Sequence, residues 1–246
     1  LCFVRKGQKL KFFWSTIKAI FIKDIVIELR SKQVLPTMIV LGALIVWILR
    51  IISESAQIDA SVIGPAALWI AILFSGLLAQ ERSFAIEQQQ DCIYSLLLAP
   101  VDTGTLFLAK LLVSVVMMCI FEIVIVPVVM VSFQLSIVDR WPSLIAVLLL
   151  GNIGFSGVGT LFSAIVQLTR TRGSLLSIIV LVILMPMMIP ATFALLTLFG
   201  AVPSELVGTG ALAFVGDFKT AIGYMIAFDA IFVVACWLLF GFAIKE

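Results

Sequence analysis

Six long apolar runs constrain this chain more than anything else in it. A bilayer crossing needs about 20 predominantly apolar residues, and six segments meet that length: Val34–Ile52, Ile63–Gln80, Leu106–Phe133, Ser143–Gln167, Leu175–Phe199 and Thr220–Ile244. The 246 residues are 63% hydrophobic and 12% charged. Soluble domains are about 45–50% apolar and about 25% charged, so the excess apolar surface has to face lipid. Alternation of strand length is absent, which leaves helices as the way to satisfy backbone polar groups in hydrocarbon. The expected fold is all-α: a single polytopic membrane domain over residues 1–246 with six transmembrane helices.

Before the first run stands "QKLKFFWSTIKAIFIKD". At 100° per residue, Leu10, Phe13, Trp14, Ile17, Ile20 and Phe21 share one arc, with Lys11, Ser15 and Lys18 opposite. That pattern predicts an amphipathic helix over 8–32, lying at the membrane interface or packed on its own bundle. No cleavage-site pattern follows the first span, so no removable signal peptide is expected. Lys and Arg set the orientation. The N-terminal segment, the second and fourth loops and the C-terminus carry thirteen of them, whereas the other side carries Arg50, Arg140 and Lys219. Both termini are therefore expected in the cytoplasm.

Several functions are disfavoured by what the chain contains. A net charge of +2 gives no footprint for nucleic acid. Histidine, the commonest general base, metal ligand and haem axial ligand, is absent. The four cysteines show no metal spacing, and no GxxxxGK[ST] loop is present to hold ATP phosphates. The chain is expected to bind no metal or cofactor of its own and to be no enzyme.

The polar segment "LAQERSFAIEQQQDCIYSLLLAPVDTGTLFLAK" is the strongest local signal. It falls on the cytoplasmic side, as a loop over 81–105. Glu81 and Arg82 stand where span two leaves the membrane, and the run from Glu87 to Gln90 is too polar for lipid. Asp91 is a suitable N-cap. Ile93, Leu96 and Leu97 at i, i+3 and i+4 make an apolar stripe on a short helix that Pro100 stops. From the residues alone, this is either a docking helix or an ordinary interhelical loop.

Other features carry weaker signals. Gly151, Gly154, Gly157 and Gly159 form a small-residue surface in span four, suited to close helix packing or a dimer seam. Met185, Met187 and Met188, with Pro186 and Pro190, fall in span five, either as gap fillers or as a soft lining. Glu122 and Asp229 are acids inside spans, expected to face the bundle, bonded to Ser, Thr or Arg50 or lining a path. Arg170 and Arg172 read as a topology anchor. The stretch 200–217 reads as an interfacial or partly re-entrant segment.

The 79–110 region resembles the loop of the CcmB family, in which a Glu-Arg pair, a Phe, an acid, LLLxP and a Lys recur in order. Here these are Glu81-Arg82, Phe84, Glu87, Leu96-Leu97-Leu98, Pro100 and Lys110. The tail "AFDAIFVVACWLLF" is similar to the family's last span. Where the family often has a glycine and an acid before the leucine run, this chain has Asp91, Cys92 and Tyr94. The resemblance implies a type-2-like ABC permease of the inner (cytoplasmic) membrane, the membrane subunit of a complex for haem delivery in c-type cytochrome biogenesis. It implies a cytoplasmic CcmA-like ATPase that binds the ATP, a CcmC-like haem-handling membrane protein, and two copies of this chain in the complex. The coupling loop, with Glu81, Arg82, Phe84, Glu87, Asp91, Ile93, Leu96, Leu97 and Pro100, would contact the ATPase. A type-2-like permease for a lipid, glycan or drug has similar spans, and a channel or assembly scaffold is a rival from another class.

Overall fold

The computed structural model describes residues 2–31, 33–89, 103–135, 140–169, 174–201 and 217–243. These form seven α-helices: α1 (Cys2–Ser31), α2 (Val34–Ser55), α3 (Ala60–Gln89), α4 (Thr103–Phe133), α5 (Trp141–Thr169), α6 (Ser174–Leu198) and α7 (Phe218–Ala243). No strand occurs among the described residues. Helices α2 to α7 are long and apolar enough to cross a membrane, and the protein is a polytopic all-α membrane protein.

Local chemistry sets the breaks. Pro36 lacks the N–H that would bond to residue 32, which favours a break between α1 and α2. Between α2 and α3, Gln57 takes a positive φ of 53°. The Ser53 hydroxyl donates to the Ile58 carbonyl at 2.9 Å. Asp59 then caps α3, its Oδ1 accepting from the Ser61 N–H at 3.0 Å and the Ser61 hydroxyl at 2.8 Å. Those two donors hold the Asp59 carboxyl below its usual range. At the end of α6, Gly200 adopts φ 69°. The N–H of Ala201 reaches the Leu196 carbonyl at 2.9 Å and that of Gly200 reaches Thr197 at 3.3 Å, a glycine-terminated cap. Arg140 adds to it: Nη1 donates to the Thr197 and Leu198 carbonyls at 3.3 and 3.4 Å, a cation at the negative helix end.

Helix α3 does not stop where its span stops. The spanning part ends at Glu81, but the helix continues to Gln89. The segment read from sequence as a loop over 81–105 is thus helical at both ends, and residues 90–102 lie between the two helices. Glu, Gln, Arg and Ala are good helix formers, and no Gly or Pro interrupts 81–89.

Helix α5 is the hub. It packs against α3, α4, α6 and α7, and 72% of its spanning stretch is buried, against 17% for α2 and 22% for α7. The outer faces of α2 and α7, including Trp47, Ile51, Ile231 and Phe242, are exposed apolar surface, as lipid contact requires. Helix α1 lies along α4. Its inward face carries Phe13, Ile17, Ile20, Phe21 and Asp24. Trp14, placed on the same arc from sequence, is 62% exposed: it stands about 60° from Ile17 on the wheel, past the edge of the contact with α4.

Candidate functional site

The sequence pointed to the end of the bundle where α3 leaves and α4 enters. There, Glu81 ends the spanning part of α3, and Arg82, Phe84 and Glu87 fall on its extension past the span. Asp91, Ile93, Leu96, Leu97 and Pro100 lie outside the described residues, as do Arg170, Arg172 and 202–216.

The same end is tied to α1 by charge. Asp24 is buried, with Lys110 Nζ at 3.0 Å from Oδ2 and Lys23 Nζ at 3.1 Å from Oδ1. Lys110 comes from the second turn of α4, so this bridge fixes α1 to the arm that follows residues 90–102. An acid removed from water needs such partners. Sequence reading used Lys110 in the charge count and as the end of a motif, and gave Asp24 no role. The signal it had was an acid on the apolar side of a basic amphipathic helix.

One level deeper, three helices share a hydrogen-bonded chain. Gln80 Nε2 on α3 donates to Ser114 Oγ on α4 at 2.6 Å, and Ser114 Oγ donates to Ser156 Oγ on α5 at 3.0 Å. Gln80 and Ser156 are buried. Gly159 makes room for the amide: a Cβ there would stand 3.0 Å from Gln80 Nε2.

Deeper again, Glu122 on α4 is bound by Asn152 on α5, whose Nδ2 donates to Glu122 Oε2 at 2.9 Å. The same amide points at Cys119 Sγ, 3.6 Å away. The sequence reading offered Arg50 as a partner for an intramembrane acid, and the structure corrects this. Arg50 bonds Glu54 one turn on, at 2.6 Å, and lies 5.9 Å from the centre of the Phe133 ring. An i,i+4 partner at the bundle end is within reach without burying the guanidinium. Asp229 is also buried, on the face of α7 that meets Gly154, with the Met187 sulfur beside the same glycine.

The four glycines of α5 do not form one stripe toward one neighbour. Gly151 receives the Trp69 ring of α3, Gly154 receives Asp229 and Met187, Gly157 meets Val233 of α7, and Gly159 meets Gln80. All four are used inside this chain. Of the methionines in α6, Met187 is fully buried while Met185 is exposed; α6 remains one helix through Pro186 and Pro190.

Cys119 and Cys236 are free thiols, half-buried and buried. Among the described residues no group of His, Cys, Asp and Glu side chains comes together to hold a metal ion. The polar groups found are suited to holding helices in register. No curated protein matches the chain. Against models of protein families it matches that of the CcmB protein over residues 15–231, from the amphipathic helix to the middle of the last span, and the chain belongs to the CcmB family.

Proposed function

We propose that this chain couples ATP hydrolysis by a separate cytoplasmic ATPase to haem delivery, or to release of a haem-loaded chaperone, in c-type cytochrome biogenesis. Membership of the CcmB family makes it a permease subunit of the haem exporter of cytochrome c maturation, in a multi-pass membrane setting. The finer reading is that residues 90–102 dock on the ATPase through Ile93, Leu96 and Leu97, rimmed by Glu81, Arg82, Phe84, Glu87 and Asp91, with Pro100 ending the docking helix.

One observation carries this reading. Helix α3 runs eight residues past its span while α4 starts at Thr103, so two stiff arms flank residues 90–102, the middle of the motif that resembles the family's loop. A push delivered between them travels along helices rather than being lost in slack. The thirteen-to-three charge count favours the cytoplasm for this end. ATP is bound by the CcmA-like partner, because this chain has no phosphate-binding loop. Haem is substrate: with no imidazole in the chain, a coupling role is favoured over stable haem ligation here. A CcmC-like protein receives or presents the haem, and two copies of this chain pair with two ATPases, leaving the exposed faces of α2 and α7 for lipid and partners.

The test is a pull-down of the ATPase by wild type and Leu96→Asp, with holo-cytochrome c measured in the same cells. Leu96→Asp should lose the ATPase and most holo-cytochrome c. Equal ATPase retention removes the docking assignment, and unchanged holo-cytochrome c after deletion of the chain removes the haem reading.

A further inference from the structure

We infer that the Gln80–Ser114–Ser156 chain is the pin through which movement of the two arms reaches the hub helix, making these three positioning residues for coupling. The inference rests on the proposed docking of the ATPase at residues 90–102.

Its position comes first. Gln80 lies nine residues before the end of α3 and Ser114 eleven residues after the start of α4. At about 1.5 Å per residue the two are roughly 14 and 16 Å along their arms, so the pin crosses both arms at nearly the same depth. At this level both arms share one polar link to α5. Beyond it, α3 meets α5 through the Trp69 ring on Gly151.

Chemistry comes second. A serine hydroxyl has one proton, and here Ser114 accepts from α3 while donating to α5. The two bonds are therefore directional and in series, and shifting either arm misaligns both. Lipid tails solvate apolar side chains as well as a neighbouring helix does, so apolar surface by itself does not hold α3 and α4 to α5; close seating such as that of Trp69 on Gly151 does so one level deeper. At the level of Gln80, sliding would take a buried amide away from its acceptor. The hydrogen-bonded chain adds to the packing and ties the three helices together at that level.

Space comes third. Gln80 packs closely on Gly159, with Nε2, Cδ and Cγ at 3.0–3.3 Å from where a Cβ would stand, so a side chain there would have to push the amide by a few tenths of an ångström. Ser163, one turn on, turns its hydroxyl back to the Gly159 and Thr160 carbonyls at 2.6 and 3.1 Å and leaves that face to the glutamine. Helix α5 then carries the movement to α6 and α7, its two largest neighbours, including the Gly154 seat of Asp229.

The experiment uses the full complex with its ATPase, and compares wild type with Ser114→Ala, Ser114→Thr, Gln80→Leu and Gln80→Leu/Ser114→Ala. Three quantities are read: ATPase retained in the pull-down, ATP hydrolysed by the purified complex, and holo-cytochrome c formed in cells. Ser114→Ala and Gln80→Leu should keep the ATPase and its hydrolysis within about twofold, and lower holo-cytochrome c per ATP by about fivefold or more. The double variant should be no worse than either single one, since each breaks the same series. Ser114→Thr, which keeps the hydroxyl, should restore the ratio. An unchanged ratio in Ser114→Ala overturns the inference. So does a loss of output that follows complex abundance in both singles, or a failure of Ser114→Thr to recover while the complex is intact. Loss of docking in Leu96→Asp with an unchanged ratio in Ser114→Ala would sink the pin and leave the proposed function standing; retained docking in Leu96→Asp would sink the proposed function first.

Discussion

Replacing Gly151 with alanine tests whether α5 is seated on α3 as closely as the structure has it. The Trp69 ring lies over Gly151, with Cζ3 2.7 Å and Cη2 closer still from where a Cβ would stand. Carbon atoms rest at about 3.5–4.0 Å, so the ring has to move by roughly 1 Å. It is 2% exposed and belongs to the main core, and a fused ring cannot yield by rotating one bond at its tip. Overpacking of this kind costs about 1–3 kcal/mol. Alanine in a helix interior returns about 0.8–1 kcal/mol relative to glycine. The rigid obstacle places the cost in the upper part of its range, so the net change is a loss of about 1–2 kcal/mol. Gly223 on α7 is the matched control, because nothing lies within 4 Å of its would-be Cβ; there the same change should stabilise by about 0.5–1 kcal/mol. Unfolding by SDS titration in mixed micelles gives both values. A third variant fixes the cause: phenylalanine lacks the outer ring carbons that meet Gly151, so in a Trp69→Phe background the Gly151→Ala penalty should fall below about 0.5 kcal/mol. If Gly151→Ala stabilises as Gly223→Ala does, or if its penalty persists in the Trp69→Phe background, the close seating of α5 on Trp69 is refuted.

Two further outcomes follow from the polar contacts. Asn152→Leu strips Glu122 of its donor and should cost about 1–3 kcal/mol in the same titration, whereas Asn152→Leu/Glu122→Leu should recover most of that, because removing both partners leaves nothing unpaired; a double variant as unstable as the sum of the singles contradicts the pairing. Asp24→Asn removes the acid that Lys23 and Lys110 share, so a cysteine placed at buried Ile17 in a cysteine-free background should be labelled about tenfold faster, while Lys23→Ala, which leaves the Lys110 bridge, should change the rate by less than about twofold; equal labelling in Asp24→Asn and wild type means the bridge does not hold α1 down.

The spans were legible because lipid imposes one rule on every residue that faces it, and twenty apolar residues in a row satisfy few other environments. The motif around Glu81-Arg82 and Leu96–Pro100 was legible for a different reason: it is contiguous. What the sequence hid were pairings across helices. Asn152 sat inside "GNIGFSGVGT" and was passed over for its glycines, yet its partner Glu122 is thirty residues away. Gln80, Ser114 and Ser156 belong to three spans, and nothing in their local patterns marks them as one set. The same applies to the glycines, whose spacing suggested one surface but whose neighbours come from four helices. The extension of α3 was missed because Glu and Gln favour helix as much in water as at the edge of a membrane; polarity marked where the bilayer ends, and was read as the end of the helix too.

A hub that is fourth of six spans in chain order has a consequence for how the protein is made. Translation delivers α5 after α3 and α4 but before α6 and α7, so at the moment of its release from the ribosome only half of its partners exist. The Trp69 and Gln80 seats can be filled at once; the Gly154 and Gly157 seats wait for Met187, Asp229 and Val233. Until α7 arrives, a nascent chain shows the membrane a helix with the Gly157 notch empty and the Gly154 notch only partly filled by Met187, and among the described residues Asp229 is the last buried polar one to reach its place. Completion of the bundle therefore waits for α7, and a chain truncated before α7 exposes a face that a membrane protease surveying unassembled helices can recognise.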